Sequence, residues 1–263
     1  MSVQLDSVRE GIDELSLVCQ TGFSTLTSIL LRTNSLLSEL ITVAKTPTQN
    51  WALEQFRNAK LCYEDRRWGE VIEYVDLAVH GDHNNRGYKL EPAFYFLRGL
   101  VYLGQDREGL EFMDSDKALL DFLTCAKYCA ARNPSLKNLA LTHAAWVRYI
   151  QGEAEDAISF LNLADEAEKG VADTDFLRAK INLNLGRVKA AQQPFKAALR
   201  SSFFYMLRAN NDTDFQKHVA SVDAWSEEVR AQEQLEAFKG ISASAGLKGH
   251  HNLMALASEE GVS

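Results

Sequence analysis

The sequence predicts an all-α protein, and three observations lead to this prediction. Only 4 of its 263 residues are proline and 15 are glycine, fewer chain breakers than the turns of an all-β fold require. Residues 3 to about 45 carry apolar side chains at alternating three- and four-residue steps, the pattern of a long helix. Residues 48 to about 205 contain one helix-pair pattern four times. We therefore expect a long N-terminal helix, an array of helix pairs and a closing C-terminal helix.

The composition favours a folded globular chain and excludes some classes of partner. A hydrophobic share of 46% with 24% charged residues is typical of a protein with a buried core. The net charge of −8 and the lack of a basic stripe argue against nucleic acid as a partner. The four cysteines show no disulfide spacing, and the first residues are polar and acidic rather than signal-like. We expect a reducing, cytoplasmic compartment and no cofactor.

The first element, residues 1–47, is predicted to be one coiled-coil-like helix that ends at Thr46-Pro47. Gly22 and Thr33 weaken its apolar seam, but the spacing does not slip. At 1.5 Å per residue such a helix is roughly 60 Å long, too long for an ordinary element of a small domain. The seam that would mediate oligomerisation comprises Val8, Ile12, Leu15, Cys19, Leu26, Ile29, Leu36, Leu40 and Val43.

The flanks of this helix are unusually apolar, and three interpretations compete. Residues 15–31 carry no charge, and further leucine, isoleucine and phenylalanine side chains widen the apolar face beyond a two-stranded seam. Self-association into a bundle of three or more helices would bury this face. The helix could instead pack on the rest of its own chain, or insert into a membrane. The uncharged run is slightly shorter than the roughly 18 residues expected of a spanning helix, so membrane insertion is not favoured.

Residues 48–205 carry the repeats. In each copy a small residue on a first helix precedes a small or β-branched residue on a second helix, followed by a large apolar and another small residue. Small residues at fixed offsets let two antiparallel helices approach closely. The four sets are Ala59, Trp68, Val71, Val75 and Ala78; Gly99, Tyr102, Ala118, Phe122 and Cys125; Ala145, Gly152, Ala157, Leu161 and Ala164; and Ala179, Gly186, Ala191, Phe195 and Ala198.

This pattern resembles the tetratricopeptide repeat (TPR) family, whose 34-residue units are helix–turn–helix pairs. Ala145 and Ala179 lie 34 residues apart, whereas the earlier copies are spaced by 40 and 46 residues and so carry insertions, one of them a polar loop over residues 104–115. Residues 79–90 form a longer polar linker than the family needs, and Pro194 should kink the last helix or delay its start. The resemblance implies an irregular helical-hairpin solenoid.

The resemblance also implies a groove lined by the first helix of each pair, which would bind an extended peptide or a helix. This surface is mainly aromatic and aliphatic, so an apolar helix or peptide suits it better than the carboxylate-ended peptides that chaperone-binding relatives hold. The alternative is that these side chains are core. The implied groove residues are Phe56, Lys60, Tyr63, Phe96, Leu100, Leu103, Thr142, Trp146, Tyr149, Phe176, Lys180 and Asn184.

The last part of the chain is predicted to close the array with one amphipathic helix in residues 206–240. Residues 211–214 offer capping side chains, and Gly240 ends the pattern. Residues 241–263 are expected to form a flexible tail or to dock a short helix through Leu253–Leu256. The apolar face of the closing helix comprises Val219, Val222, Trp225, Val229 and Leu235.

The search for catalytic motifs is negative: the chain has no Gly-rich phosphate loop, HExxH or GxSxG. His80, Asp82 and His83 form a tight polar cluster, for which a solvated linker is favoured over a metal site. We predict no catalytic and no metal-binding residues. The predicted function is a non-enzymatic protein–protein interaction module that self-assembles through residues 1–47. The alternative is a membrane-acting effector whose N-terminal helix enters lipid under control of the repeats.

Overall fold

The computed structural model describes residues 46–104, 109–129 and 133–236 of the chain. Across these three ranges the secondary structure is helical and contains no β-strand, which confirms the all-α prediction. The predicted N-terminal helix, with its seam from Val8 to Val43, lies outside the described residues apart from its end at Thr46-Pro47. The predicted end of the closing helix at Gly240 and the predicted tail over residues 241–263 also lie outside them.

Most of the helices follow one another with short connections, and the two longer ones are residues 81–91 and 103–114. Thr46 caps the first helix, because its hydroxyl oxygen accepts from the Gln49 N–H while the Gln49 side chain accepts from the Thr46 N–H, and Pro47 takes the first helical position. A short 3₁₀ helix at Gly109–Phe112 lies within the predicted polar loop. The α-helices are α1 Pro47–Glu64, α2 Trp68–His80, α3 Pro92–Tyr102, α4 Ser115–Cys129, α5 Pro134–Ile150, α6 Ala154–Ala167, α7 Ala172–Asn184, α8 Val188–Ser201, α9 Phe204–Asn210, α10 Thr213–Gln216 and α11 over residues 219–236.

Successive helices form pairs, and the pairs stack. Helix α1 packs on α2, α3 on α4, α5 on α6 and α7 on α8, and neighbouring pairs meet through α2–α3, α4–α5 and α6–α7. At Gly99 an added Cβ would lie 3.0 Å from the Phe122 ring, so any larger residue would require this ring to shift. The alanines of the repeat pattern are fully buried: Ala59, Ala78, Ala118, Ala145, Ala157, Ala164, Ala179, Ala191 and Ala198.

The hydrophobic core runs through the stack in two clusters that meet at α7. Leu177 and Ile181 belong to the cluster that reaches back to α1. Phe176 and Leu183 belong to the second cluster, which extends forward to Val229 on α11. One helix therefore supplies side chains to both clusters and joins the two halves of the described chain.

Polar contacts between successive layers repeat at a separation of 32 residues. The same offset joins first helices to first helices and second helices to second helices, so each layer is placed on the preceding one in the same way. Helices α9 and α10 accordingly pack on α7, and α11 packs on α8, as a further layer. The contacts are Thr142–Thr174, Glu155–Arg187, Asp173–Tyr205, Lys180–Asp212, Lys196–Glu228 and Arg200–Gln232.

Residues 211–214 do begin a helix, but the prediction that one closing helix continues from there is wrong, because the chain breaks again before α11. Asp212 caps α10 by accepting from the Asp214 N–H at 3.0 Å, and a turn at residues 217–218 separates α10 from α11. The break allows Phe215 to be buried, with its ring centroid 4.9 Å from Phe176 and 5.1 Å from Phe195.

Helix α11 buries a narrower face than the sequence predicts. Val222, Trp225 and Val229 are buried against α8, as expected. Val219 and Leu235 are 56% and 54% exposed, so their assignment to the buried face is wrong. At the 32-residue offset they correspond to residues 187 and 203, which lie just beyond the two ends of α8.

Pro194 lies inside α8 rather than at its start. The helix begins at Val188, so a start delayed by the proline is not what the structure shows. Pro194 has no N–H to donate to the Ala190 carbonyl, which leaves one missing hydrogen bond in the helix.

Within the three described ranges, no helix is both long and apolar enough to cross a bilayer.

Candidate functional site

The twelve predicted groove residues lie on α1, α3, α5 and α7, with Leu103 one residue beyond the end of α3. Asn184 is exposed and Tyr149 is half-buried. The other ten are buried, as expected if these side chains belong to the core. The binding of a partner by this surface stays a prediction. The ten buried residues are Phe56, Lys60, Tyr63, Phe96, Leu100, Leu103, Thr142, Trp146, Phe176 and Lys180.

In the first half of the stack the groove positions form an aromatic layer. The Phe56 ring centroid lies 4.9 Å from that of Phe94. Phe96 contacts the rings of Phe122 and His143, at centroid distances of 5.6 and 5.3 Å. Ring pairs at these separations stabilise a core beyond the area they bury.

In the second half the structure brings Tyr149, Lys180 and Asn184 together with two carboxylates that the sequence did not assign to the groove. The Lys180 Nζ lies 2.7 Å from Asp212 Oδ2 and 3.0 Å from Asp214 Oδ2. The Tyr149 hydroxyl donates to Asp214 Oδ2, and the Asn184 amide donates to Asp214 Oδ1 at 3.1 Å. These five residues are called the Lys180 cluster below.

Three helices position the Lys180 cluster. Tyr149 lies near the end of α5, Lys180 and Asn184 lie one turn apart on α7, and Asp214 lies in the first turn of α10. The Lys180 ammonium also lies 5.9 Å from the centroid of Trp146 and 5.4 Å from that of Tyr149. The two carboxylates and the ring faces compensate the Lys180 ammonium for the hydration that it loses on burial.

The charges of the cluster are mutually stabilised. Burial raises the pKa of Asp214, but the Tyr149 hydrogen bond, the Lys180 charge and the Asn184 amide lower it more, to about 2. Burial raises the pKa of Asp212, and the nearby Lys180 only partly opposes this. Burial lowers the pKa of Lys180, but the two carboxylates outweigh burial and raise it overall.

This arrangement suits binding and positioning rather than proton transfer. A lysine whose pKa is raised stays an ammonium near neutral pH and is a poor nucleophile or base. The accessible rim of the cluster consists of Asn184, Tyr149 and Lys217, whose Nζ lies 3.3 Å from Asp214 Oδ1. Any segment that contacts the cluster from solvent meets an amide, a phenol ring and an ammonium.

Sequence reasoning treated residues 211–214 only as helix caps and so missed two members of the cluster. Asp214 lies 34 residues after Lys180, the spacing of the last two repeat copies. Extending the repeat pattern by one more copy would have placed a carboxylate at the groove position of a further layer. The break in the closing helix concealed this signal, because nothing in the local sequence marks residues 217–218 as a turn.

A second buried ion pair links the first two helix pairs. Arg98 donates two parallel hydrogen bonds to Asp121, at 2.8 and 2.7 Å, and a further one to Asp76 on α2. Burial opposes the charge on Arg98, but the two carboxylates raise its pKa overall. Burial also raises the pKa of Asp121. These contacts hold α2, α3 and α4 together; Arg98 and Asp121 are largely buried, whereas the Asp76 side chain is 48% exposed.

The linker cluster of His80, Asp82 and His83 is a hydrogen-bonded turn. The Asp82 carboxylate accepts from the N–H groups of Asn84 and Asn85, at 2.7 and 2.6 Å. These two bonds lower the pKa of Asp82. In the described part of the chain, no group of three or more metal-ligating side chains comes together here or elsewhere.

Comparison with family models, with curated proteins and with solved structures finds no match to this chain. The TPR resemblance therefore rests on the residue pattern of the chain itself.

Proposed function

We propose that this chain is a non-enzymatic protein–protein interaction module of the TPR type. Its groove takes an apolar helix or peptide, and the chain self-associates through its N-terminal helix. The membrane-acting alternative depends on the same N-terminal residues and differs only in what covers their apolar face.

The observation that carries this proposal is the stack of helix pairs. Each pair contacts mainly its neighbours, through buried small residues and through polar contacts at a 32-residue offset. Proteins built in this way present successive first helices side by side and use the resulting extended surface for binding. A stack of this kind holds its shape without a ligand, so its surface is available for recognition.

The rim of the Lys180 cluster is where a partner could make its first contact. Asn184 is exposed and Tyr149 is half-buried, whereas the groove positions of the first two pairs are all buried. A partner helix would lie along α5 and α7 with an apolar face toward Tyr149 and polar groups toward Asn184.

Self-association is tested by breaking the predicted seam in the full-length chain. The variant I29K/L36K places two lysines in the seam, where burial without a partner charge is strongly unfavourable. We expect the wild type to sediment as an oligomer and this variant as a monomer, measured by analytical ultracentrifugation. The matched control S38K adds a lysine away from the seam and should keep the wild-type mass.

Equal masses for the wild type and I29K/L36K would contradict self-association. Flotation with liposomes separates the membrane alternative: binding of the wild type to liposomes that is lost in I29K/L36K would favour the membrane-acting function instead.

Groove binding is tested with a defined apolar helix, a labelled peptide of residues 5–43, added to the I29K/L36K variant. We expect binding by fluorescence anisotropy. Adding Asn184→Lys should weaken it about tenfold, because a new ammonium in the groove must be desolvated. The control Asn84→Lys changes an exposed asparagine on the linker turn and should leave the affinity unchanged. Equal affinity in both would contradict binding at this groove.

A further inference from the structure

Exposed apolar side chains gather at the C-terminal end of the stack. Phe203, Phe204 and Leu207 are 36%, 44% and 60% exposed, and they are called the end patch below. The opposite side of α9 is buried: the Tyr205 hydroxyl donates to Asp173 on α7 at 3.0 Å. The end patch therefore lies on the side of α9 that faces away from the preceding layer.

The repeat spacing explains why this face is apolar. On α7, the Asp173 carboxylate accepts hydrogen bonds from Tyr205 and Arg208 on α9 of the next layer. Leu207 lies 34 residues after Asp173, the spacing of the last two repeat copies, so it occupies the position on which another layer would pack. Up to residue 236 no such layer follows α11, and the face stays uncovered among the described residues.

The chain leaves the described part of the structure beside the end patch. Helix α11 runs parallel to α8, since Lys196 pairs with Glu228 and Arg200 with Gln232. Helix α8 ends at Ser201, and the end patch follows just after this end of the helix. The Arg230 guanidinium carbon lies 4.4 Å from the centroid of the Phe203 ring, so α11 passes the end patch six residues before residue 236.

The remaining 27 residues contain one compact apolar segment, residues 253–257 with the sequence LMALA. Sixteen residues, 237–252, separate its first leucine from residue 236, a length that spans at most about 60 Å. A tether of this length holds the segment near the end patch at roughly millimolar effective concentration. The segment thus reaches the patch without strain.

Charge complementarity supports the same pairing. Glu259 and Glu260 follow the apolar segment after a single serine, Ser258. Arg230 is exposed beside the end patch, and Arg200, which is also exposed, donates to the Gln232 side chain on the same helix as Arg230. An acidic end after an apolar segment therefore fits a basic rim around an apolar patch.

We propose that residues 253–257 of the same chain pack on the end patch and close the stack in place of another layer. The occupant is the chain's own C-terminal segment, and this inference does not depend on the proposed function. The end patch is then an intramolecular docking site for an amphipathic segment with an acidic end.

The proposal is tested by hydrogen–deuterium exchange of the full-length chain, read on peptides that cover residues 203–210. In the variant L253S/M254S, we expect exchange there to become about tenfold faster, the ratio that corresponds to losing the burial of one leucine side chain. The reciprocal variant Leu207→Ser should speed exchange across residues 250–260. Its matched control is Leu120→Ser on α4, where the leucine is 64% exposed and should not affect either region.

Unchanged exchange at residues 203–210 in L253S/M254S would overturn the proposal. Protection that disappears on dilution of the wild-type protein would overturn it as well, because a second copy would then cover the patch.

Discussion

At the scale of single residues, Lys180 is the charge on which three layers of the molecule depend. Its side chain is 2% exposed, and it receives carboxylates from α10 and ring faces from α5. Removing one partner of a buried ion pair leaves the other charge without compensation, which costs more than the pair contributes when intact. Substitutions in the Lys180 cluster should therefore destabilise the junction of α5, α7 and α10 together.

Asp214→Asn should lower the free energy of unfolding by about 2 kcal/mol at pH 7, because Lys180 keeps only Asp212 as a carboxylate partner. The pKa of Asp214 is about 2 in the folded chain against an ordinary value of 3.8. The charged carboxylate therefore stabilises the fold above pH 3.8, and this contribution is lost as the pH falls toward 2. The difference between wild type and variant should shrink over that range, as measured by urea unfolding.

The control is Asp223→Asn, an exposed carboxylate on α11 that should leave the stability unchanged. A wild-type advantage that stays constant from pH 7 to pH 2 would show that the ionised Asp214 is not its source.

At the scale of elements, α8 tolerates a proline in its interior. The helix continues for seven residues beyond Pro194, and Phe195 and Ala198 on it are fully buried. Tertiary packing on α7 and α11 thus outweighs the missing hydrogen bond to Ala190.

Pro194→Ala should raise the free energy of unfolding by about 2 kcal/mol, because alanine restores the N–H and removes the ring from the helix interior. Chemical denaturation at neutral pH measures this gain. Gln193→Ala, an exposed position on the same helix, is the control and should change stability far less. A loss of stability in Pro194→Ala would mean that the ring fills space the alanine leaves empty.

The helix pairs were accessible to sequence reasoning because their signal is local. Ala145, Ala157 and Ala164 lie within one pair, and a short window of sequence shows their spacing. The break between α10 and α11 was not accessible, because it contains no glycine or proline. It exists because Phe215 is buried against Phe176, a contact with a residue 39 positions earlier.

At the scale of the whole molecule, the candidate site was predicted only in part. The aromatic and aliphatic groove positions do belong to apolar helix faces. The sequence alone does not show whether such a face is covered by the chain itself or is open to a partner. Ten of the twelve are buried, and the carboxylates that neutralise Lys180 come from a layer that the repeat count had not included. The layer formed by α9, α10 and α11 is recognised only from the structure, in which contacts such as Arg200–Gln232 continue the 32-residue offset between layers.

The near-constant offset between layers has a consequence for how the chain acquires its structure during synthesis. Side-chain hydrogen bonds between helices such as Ser115–Gln151 and Asn138–Thr174 join residues 36 positions apart, and the bond between Tyr149 and Asp214 joins residues 65 apart. Contacts of such low order form quickly and in the sequence in which the chain is made. Each layer can assemble while the next is being translated. The Tyr149–Asp214 bond spans the longest stretch of chain among these, and it joins a layer that can fold early to one that is made two layers later.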